Sequence, residues 1–538
     1  MADPLPPSHL HILRSRRVQI ESLIDHGHVK PVLLWHLIAF FLVLPASALL
    51  VSRSTRARYL RPLILFLILG FSVEAFQSRR TLLGANGYIV GLIVAWWSTW
   101  LMTLLVFHDV ERDFRRIERR QLGKGDSQEK SVSARSRQHA IQTPEAQNVQ
   151  SQRPPNEEYP EPLVWQTYPR SWSHRLNWVL GLLLNLRGPE WNWRISSVGP
   201  FPASISTQLT PKHRRSRSQE HRKKPPTYKD GRTRIRAVAF GFLKTYLTLD
   251  AIKLLMMRDP YFWGIISLSH SPPPPPVTYI LPPIPGLFRV YRLALSGIGI
   301  YAALVFVTAL NPLCFLGLSR AFPNAARALT AVPLDAPWLY PETFGPFLAS
   351  VLDHGLAGCW SRWWHQLFRF GFLSTAQWLI SWLPRRLATH VGLRRFLLTL
   401  IVFSLSGLIH ASGSYTQFEE TRPLSGTLLF FLLQGAGVVI QDLASKVLVS
   451  ALFQSKPVPR WLRRTSNASF AFGWLVFSGG YIADDFSKGG LWLTEPLPVS
   501  PLRGLGLGVE GEGWWCWSEP WFQWWDDGTF WGRGLRFM

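Results

Sequence analysis

The sequence predicts an all-α protein that crosses a membrane several times. Of its 538 residues, 47% are hydrophobic and only 17% are charged, whereas about a quarter of the residues in soluble domains are charged. Several stretches also reach the length of about 20 mostly apolar residues that a spanning helix needs. We therefore expect a polytopic membrane protein with roughly eight to ten transmembrane helices.

The apolar stretches predict the individual helices. Five of them contain no Asp, Glu, Lys or Arg, and they lie at residues 31–51, 88–107, 293–319, 396–415 and 424–441. Four weaker candidates are shorter or carry charges, and they lie at residues 60–76, 235–257, 370–383 and 468–483. The first residues lack the apolar core of a cleavable signal peptide, so we expect the first span to act as an uncleaved targeting signal.

These segments divide the chain into five regions. A long polar stretch, rich in Gln, Ser, Arg and Glu and without periodicity, separates the helical parts, and we expect it to be largely disordered. The regions are an N-terminal tail at 1–30, N-terminal transmembrane helices at 31–107, the polar loop at 108–234, a core of transmembrane helices at 235–486 and a Trp-rich C-terminal tail at 487–538.

The net charge of +25 indicates membrane topology rather than nucleic-acid binding. The basic residues form short runs beside apolar stretches, for example Arg79-Arg80 and Arg394-Arg395, which is typical of cytoplasmic loops and of contacts with anionic headgroups. A run at 212–234 holds ten basic residues against two acidic ones, and this excess predicts a cytoplasmic position. We expect the lipid bilayer, and no nucleic acid, as a partner.

Two tryptophan-rich segments predict contact with the membrane interface, where indole rings are favoured. Residues 174–193 are apolar in their middle but too short to span a bilayer. We expect them to form an interfacial or re-entrant helix with its Trp side chains at headgroup depth. The end of the chain, at 513–538, contains seven Trp residues, and we interpret it as an interfacial belt.

The segment 360–372 (WSRWWHQLFRFGF) is the first candidate site. If it is helical, Arg362, His365, Gln366 and Arg369 recur every three to four residues and form one polar stripe. Such a helix at the membrane surface would direct an imidazole, an amide and two guanidinium groups towards a cavity. The alternative is a basic amphipathic helix that only anchors the chain.

A histidine inside the predicted span at 396–415 is the second candidate. His410 follows an otherwise uncharged stretch, and Thr399 and Ser406 share its helical face. Hydrocarbon penalises polar side chains, so such a histidine is either hydrogen-bonded in the core or functional. A neutral imidazole accepts a proton near pH 7, as a general base must.

The span that follows has a polar stripe of its own. Gln434, Gln441 and Ser445 lie on one helical face, and Asp442 can form an ion pair with Lys446 four residues later. These side chains either line a water-accessible chamber or hold helices together, and the pattern does not decide between the two.

Together these segments resemble the wax-synthase-like branch of the membrane-bound O-acyltransferase family, especially its fungal members. Residues 360–369 (WSRWWHQLFR) are similar to the Trp-Arg-Trp-His-Gln signature of that branch, and residues 406–410 (SGLIH) to the segment that holds the family's intramembrane histidine. Three further stretches are similar to the fungal subgroup or to the neighbouring span: 185–193 (NLRGPEWNW), 246–262 (YLTLDAIKLLMMRDPYF) and 433–442 (LQGAGVVIQD). The resemblance covers most of the chain between residues 176 and 486.

The resemblance implies acyl transfer from a CoA thioester to a hydroxyl group within the membrane. His410 is then the catalytic base, and His365 takes the second catalytic position, where the wider family often has asparagine. The guanidinium groups of Arg362 and Arg369 suit the phosphates of CoA. The expected substrate- and CoA-binding residues are Arg362, Gln366, Arg369, Gln434 and Asp442. We expect no metal and no bound cofactor, with acetyl-CoA or another acyl-CoA as co-substrate.

The predicted function is therefore an acyl-CoA:alcohol O-acyltransferase of the endoplasmic reticulum membrane. The fungal subgroup that the chain resembles often acetylates hydroxyl groups of terpenoid-type secondary metabolites, which favours acetyl-CoA as donor and an apolar alcohol as acceptor. Two alternatives stay open. One is a long-chain wax-ester synthase, and the other, from a different class, is a membrane transporter or non-catalytic scaffold in which the histidines serve permeation or packing.

Overall fold

Helices dominate the computed structural model, which describes residues 8–52, 59–120, 162–209, 230–269, 271–453, 458–517 and 520–538. Among these residues, five helices are long and apolar enough to cross a membrane, and the predicted all-α, polytopic class is confirmed. They are Leu60–Ser78, Tyr88–Phe107, Gly286–Ala321, Val391–Tyr415 and Pro423–Leu448. The predicted spans at 31–51, 235–257 and 468–483 are also largely helical, within helices that are shorter or more polar.

The first half of the chain combines four helices of 15 residues or more with several shorter ones. The described helices are α1 (His9–Asp25), α2 (Leu34–Ile38), α3 (Leu44–Leu50), α4 (Leu60–Ser78), α5 (Leu83–Asn86), α6 (Tyr88–Met102), α7 (Val110–Asp113), α8 (Trp172–Leu183), α9 (Ala203–Leu209) and α10 (Gly231–Met256). Wider π-helical turns at Ala39–Val43 and Thr103–Phe107 join α2 to α3 and extend α6.

The second half contains the helices that build the site. They are α11 (Val277–Ile280), α12 (Pro285–Ala321), α13 (Pro323–Leu329), α14 (Phe347–Gly358), α15 (Arg369–Ser381), α16 (Arg385–Thr389), α17 (Val391–Tyr415), α18 (Leu429–Phe453) and α19 (Arg460–Lys488), with π-helical turns at Cys359–Trp363, Pro423–Leu428 and Arg503–Leu507. α17 is central, because it packs against α6, α15 and α18. α14 packs against α19, and α10 packs along α12.

Small residues allow α17 to approach α6 closely. The backbone N–H of Gly91 donates to Thr416 Oγ1 at 3.0 Å, and a Cβ atom at Gly413 would lie 2.8 Å from the ring of Tyr88. Close backbone packing of this kind is typical of membrane helices, whose association depends on packing and hydrogen bonds rather than on the hydrophobic effect. The contact holds the end of α17 that carries His410.

The described residues form three two-stranded sheets, of which the first two join segments that are distant in sequence. They are parallel β1 (Lys30–Pro31) with β2 (Arg79–Arg80), antiparallel β3 (Arg116–Arg119) with β4 (Leu163–Gln166), and antiparallel β5 (Phe522–Asp526) with β6 (Arg533–Phe537). β3 and β4 lie within the stretch predicted to be a disordered loop, so the described ends of that stretch are ordered. The remainder of the predicted loop, at 121–161 and 210–229, lies outside the described residues.

The aromatic core beside α6 and α8 corrects one prediction. Trp178 and Trp191 are fully buried, their ring centroids are 4.8 Å apart, and Trp100 Nε1 donates to Leu183 O at 3.1 Å. The helix predicted over 174–193 ends earlier, at Leu183. Both Trp side chains pack inside the protein, because the turn after α8 folds back onto the helix; the interfacial position of α8 stays a prediction.

The Trp-rich tail is attached to the N-terminal helices through the β5–β6 hairpin. The N–H of Phe537 donates to Val32 O at 3.0 Å, and Thr81 Oγ1 donates to Phe537 O at 3.1 Å. These contacts lie next to the start of α2 and the end of α4. Several aromatic side chains of the tail are exposed, namely Trp514, Trp515, Trp524, Phe530 and Trp531. Their position at the membrane interface stays a prediction.

Candidate active site

The helix predicted over 360–372 is interrupted at the histidine. α14 passes into the π-helical turn Cys359–Trp363, Trp364 then adopts an extended conformation with ψ of 148°, and α15 begins only at Arg369. The polar stripe of a continuous helix therefore does not form, and the prediction is corrected on this point. His365 lies half-buried in the break between the two helices.

The side chain of Gln366 closes this break. Its Nε2 donates to the carbonyl oxygens of Trp360 and Trp364 at 2.6 and 2.8 Å, and its Oε1 accepts from Arg369 Nη1 at 2.8 Å. Arg369 Nη1 also donates to Ser361 O at 3.0 Å. Carbonyl groups at a helix end lack intrahelical partners, and Gln366 supplies partners for two of them. Both N–H groups of this amide are thus engaged with the chain itself.

His410 lies in α17, in the part that packs against α6. Its Nδ1 lies 2.9 Å from Ser406 O, and because a carbonyl oxygen only accepts hydrogen bonds, Nδ1 must carry the hydrogen. Nε2 of the neutral ring then keeps its lone pair and can accept a proton. The ring packs against Phe431, with centroids 4.5 Å apart, and against Tyr88 at 6.5 Å. The backbone and two aromatic rings therefore fix both its tautomer and its orientation.

His365 lies outside the five apolar spans, close enough to His410 for the two imidazoles to interact electrostatically. Its Nδ1 is buried and has no hydrogen-bond partner among the described residues. Burial, with smaller contributions from His410 and Arg187, lowers the pKa of His365 to about 3. The ring is therefore neutral at physiological pH. A neutral imidazole with an unpartnered buried nitrogen is suited to hydrogen-bond a substrate atom.

Both histidines line one cavity of about 340 Å³, which we call the histidine cavity. Its polar side chains are Ser361, His365, Gln366, Arg369, Thr399, Ser406 and His410, and its aromatic ones are Trp360, Trp364, Phe368, Phe372, Phe403 and Phe431. Apolar walls with a few polar groups are typical of small-molecule sites. Within the described part of the chain, no group of three or more His, Cys, Asp or Glu side chains is placed to hold a metal ion.

A second and larger cavity, of about 640 Å³, borders the same break, and we call it the arginine cavity. Leu367 and Phe344 line it, whereas the residues on either side of Leu367 line the histidine cavity. The ring of Phe344 also contacts that of His365, with centroids 6.2 Å apart. The segment 364–368 is therefore a wall that the two cavities share.

Three arginines, Arg116, Arg187 and Arg234, line the arginine cavity. Arg187 donates from Nη1 to Glu342 O at 2.6 Å and from Nη2 to Pro341 O at 2.9 Å, which fixes its guanidinium group. Burial, together with the charge of Arg234, lowers the pKa of Arg187 to about 10. Arg187 therefore stays charged at neutral pH, and fixed guanidinium groups are suited to bind phosphates.

Two carboxyl groups, those of Glu190 and Glu342, also line the arginine cavity. Burial raises the pKa of Glu190, whose Oε1 accepts hydrogen bonds from Asn185 Nδ2 at 2.7 Å and from Trp191 Nε1 at 3.1 Å. Arg116 is paired with Glu118 at 2.5 Å. Arg234 also lies 4.0 Å from Glu342, whereas Arg187 donates to carbonyl oxygens rather than to a carboxylate, so Arg187 is the lining group best suited to an anionic ligand.

The sequence analysis missed the arginines of this cavity. Arg187 lies in the stretch 185–193, and its similarity to the fungal subgroup was the available signal. Arg116 and Arg234 lie in or beside the predicted loop, far from both histidines in sequence. Arg116 reaches the cavity through the β3–β4 hairpin, and Arg234 reaches it through the packing of α10 along α12. A local sequence pattern does not reveal such long-range contacts.

Three of the predicted binding residues line neither cavity. Arg362 is exposed in the π-helical turn. Gln434 is fully buried and accepts a hydrogen bond from Trp360 Nε1 at 3.3 Å. Asp442 forms the predicted ion pair with Lys446 at 2.6 Å, and both side chains are exposed. These three side chains lie outside the lining of both cavities, and their role in binding stays a prediction.

The comparisons with known proteins match the segment that holds this site. Residues 340–433 match the family described as "Membrane bound O-acyl transferase family". This range includes the wall at 364–368, His410 and the start of α18. No solved structure shows a significant match.

Several curated fungal proteins are similar to a larger part of the chain. The O-mevalon transferase macI of Penicillium terrestre is 25% identical over 318 residues, which are 56% of this chain and 61% of the relative. The O-mevalon transferase yanI of Aspergillus niger is 26% identical over 63% of this chain and 65% of the relative. The acetyltransferase eriL of Hericium erinaceus is 30% identical over 35% and 47%, respectively.

The chain thus spans somewhat less than two thirds of the length of the first two relatives. The family match and the fungal relatives agree with the resemblance that the two histidine segments suggested. That resemblance is confirmed: residues 340–433 match the membrane-bound O-acyltransferase family, and a larger part of the chain is similar to fungal transferases.

Proposed function

We propose that this chain is a membrane-embedded O-acyltransferase that moves an acyl group, acetyl in the first instance, from acyl-CoA to a hydroxyl group of an apolar secondary metabolite. The observation that carries the proposal is that His365 and His410 line one cavity with apolar walls, and that the segment containing His365 separates it from the arginine cavity. An apolar acceptor can then lie against both histidines, while the charged part of the donor lies beyond the wall.

His410 is the general base in this proposal. An alcohol is a weak nucleophile at neutral pH, so Nε2 of His410 takes its proton as the oxygen attacks the thioester carbonyl carbon. The tetrahedral intermediate then collapses, the C–S bond breaks and the ester forms. The leaving CoA sulfur takes up the proton from His410, so the imidazole is neutral again and no further reactant is required.

His365 is the oxyanion donor in this proposal. Its buried Nδ1 has no partner among the described residues and can donate to the carbonyl oxygen as negative charge develops there. One donor of this kind contributes about 10²- to 10³-fold to kcat. The neighbouring amide of Gln366 is not available for this role, because both of its N–H groups donate to the carbonyl oxygens of Trp360 and Trp364.

The arginine cavity is the proposed site of the donor's phosphates. Arg187 and Arg234 present guanidinium groups there, and Arg369 is the arginine in the lining of the histidine cavity. This assignment retains Arg369 from the sequence prediction and replaces the exposed Arg362. The apolar alcohol then occupies the histidine cavity, to which the bilayer helices α15 and α17 contribute Leu373, Leu398 and Val402.

The small volume of the histidine cavity favours a short acyl group over a long one. About 340 Å³ is near the lower end of the range of about 300–1,000 Å³ for ligand pockets, which is little room for an acceptor together with a long acyl chain. The names of the relatives suggest two short groups, since eriL is an acetyltransferase and macI an O-mevalon transferase. A mevalon-derived acyl group is therefore the second candidate.

The proposal is tested with microsomes from a heterologous host that express the chain. They receive labelled acetyl-CoA or palmitoyl-CoA and a mixture of hydroxylated terpenoids and fatty alcohols. We expect organic-soluble label with acetyl-CoA in the wild type, and none with His410→Ala. The matched control is His28→Ala, because His28 is an exposed histidine far from both cavities in the chain, and this variant should retain wild-type turnover.

Each outcome of this experiment has a distinct meaning. Label from palmitoyl-CoA but not from acetyl-CoA would favour a wax-ester synthase. Absence of label with both donors, combined with absence of CoA binding, would favour the transporter or scaffold alternative. Immunofluorescence of the expressed chain against an endoplasmic reticulum marker tests the proposed compartment.

A further inference from the structure

The helix that leads to the break at Trp364 contains a second interruption, nine residues earlier. Gly355 in α14 has φ of +59° and ψ of −144°, a conformation that only glycine adopts readily. The backbone N–H of Leu356 is thereby removed from the helical ladder. A buried N–H that loses its helical partner needs another one, and the structure supplies it from a neighbouring span.

Gln441 of α18 provides that partner. Its Oε1 accepts from Leu356 N at 2.8 Å, and its Nε2 donates to Asn467 Oδ1 at 3.1 Å. Asn467 Nδ2 in turn donates to Leu352 O at 2.9 Å. A Cβ atom at Gly355 would overlap the amide of Gln441. The interruption and the glutamine therefore fit each other, and the chain of hydrogen bonds ties α14 to both α18 and α19.

Gln434 makes a similar link seven residues earlier on the same face of α18. It is fully buried, its Oε1 accepts from Trp360 Nε1 at 3.3 Å, and its Nε2 donates to Ser478 Oγ of α19 at 2.8 Å. Trp360 belongs to the π-helical turn before His365 and lines the histidine cavity. Two amides thus hold the segment that precedes His365, one at each end.

The same helix also contacts the other histidine. Phe431 of α18 packs against the ring of His410, with centroids 4.5 Å apart. Phe431, Gln434 and Gln441 are spaced by three and seven residues and lie on one face of the helix. α18 therefore touches His410 directly and reaches His365 through the segment that its two glutamines hold.

We propose that Gln434 and Gln441 are positioning residues, which set the distance between His365 and His410 by fixing the segment 355–366 to α18. The inference rests on the proposed acyl transfer for its catalytic consequence, although its structural part does not. It also gives the polar stripe of α18 a role, since the sequence pattern left open whether those side chains line a chamber or hold helices together. Neither glutamine touches substrate in this assignment.

The kinetic test uses Gln441→Met, which has a similar shape and removes both hydrogen bonds. Displacement of a reacting group by about 1 Å can lower a rate about 100-fold, so we expect kcat to fall about 10- to 100-fold. The KM for acetyl-CoA should change less than about twofold, because the arginine cavity is untouched. Gln441→Glu keeps the acceptor for Leu356 N and should recover part of the lost kcat.

The matched control is Ile440→Met, since Ile440 is the exposed neighbour of Gln441 on the same helix. It should have wild-type kcat and KM. Equal losses in Ile440→Met and Gln441→Met would overturn the inference, and so would wild-type kcat in Gln441→Met. An equal loss in Gln441→Glu and Gln441→Met would also contradict it, because the acceptor would then have no importance.

A second readout is independent of catalysis. Cys359 begins the π-helical turn and is only 2% exposed, whereas Cys314 is exposed and Cys516 is intermediate. In a Cys314→Ser, Cys516→Ser background, we expect N-ethylmaleimide to label Cys359 slowly, and about tenfold faster when Gln441→Met releases the segment. Faster labelling without measurable turnover in the parent would support the positioning role and refute the proposed function. Unchanged labelling in Gln441→Met would overturn the positioning role.

Discussion

The two cavities differ in the elements that build them. The histidine cavity is formed by α15, α17, α18 and the segment 357–368, and its base has its tautomer fixed by the α17 backbone. The arginine cavity takes three of its five charged groups from loops, Arg187 and Glu190 beyond α8 and Glu342 before α14, and the other two from β3 and α10. Groups on rigid helices hold tighter geometry than groups on loops, whereas loops are well suited to binding. The comparison suggests that chemistry and donor binding are separated in space.

The largest effect is expected from the base. His410→Gln keeps a side-chain amide that can donate to Ser406 O but cannot act as a base at neutral pH. We expect turnover to fall about 10²- to 10⁴-fold, as in His410→Ala, with unchanged membrane yield. The measurement is the initial rate of acetyl transfer per amount of expressed protein. Substantial activity in His410→Gln would show that the hydrogen bond to Ser406, rather than the basic nitrogen, matters.

The second prediction distinguishes the role of His365 from that of His410. His365→Ala removes the proposed oxyanion donor, and we expect kcat to fall about 100-fold. His365→Asn restores an N–H donor of the kind that the wider family often has at this position. It should therefore be clearly faster than His365→Ala. Equal rates in the two variants would assign His365 to packing of the wall rather than to the reaction.

The third prediction concerns donor binding in the arginine cavity, on the other side of the wall at 364–368. Arg187→Met removes a guanidinium group from the arginine cavity, and we expect the KM for acetyl-CoA to rise about tenfold, which corresponds to about 1.4 kcal/mol of binding free energy. kcat should change little. Arg194→Met is the matched control, because Arg194 also donates to two carbonyl oxygens, of Pro189 and Val198, but lines neither cavity. A loss of kcat in Arg187→Met without a change in KM would contradict the separation of donor binding from chemistry.

The smallest effect is expected at a residue that the sequence analysis included among the binding candidates. Asp442 is exposed and paired with Lys446, and exposed ion pairs contribute about 0–1 kcal/mol. Asp442→Asn should therefore leave kcat and KM within about twofold of the wild type. A rise in the KM for either substrate beyond that would restore the predicted binding role of Asp442.

The sequence alone predicted the class of the fold and four members of the histidine cavity. His365, Gln366, Arg369 and His410 belong to two local motifs, and each motif was visible as a polar interruption of an apolar stretch. The function of Gln366 was not visible, because its partners are carbonyl groups that exist only after the helix has been broken. A pattern with helical periodicity does not report such a break.

Long-range contacts account for the other differences. Trp178 and Trp191 were expected at the membrane interface, since tryptophan is common there. In the structure they pack against each other in a core that forms when the chain after α8 folds back. Arg116 and Arg234 reach the arginine cavity through pairings that span many residues. Propensity and periodicity are local, so they do not contain this information.

The most direct test of the separation between chemistry and donor binding is the affinity for a non-reactive acetyl-CoA analogue. It is measured on the purified full chain in detergent, for wild type, His410→Gln, Arg187→Met and Arg194→Met. We predict that Arg187→Met alone binds the analogue about tenfold more weakly, while His410→Gln binds like the wild type. Weakened binding in His410→Gln with wild-type binding in Arg187→Met would contradict the account, because the donor's anionic part would then lie in the histidine cavity.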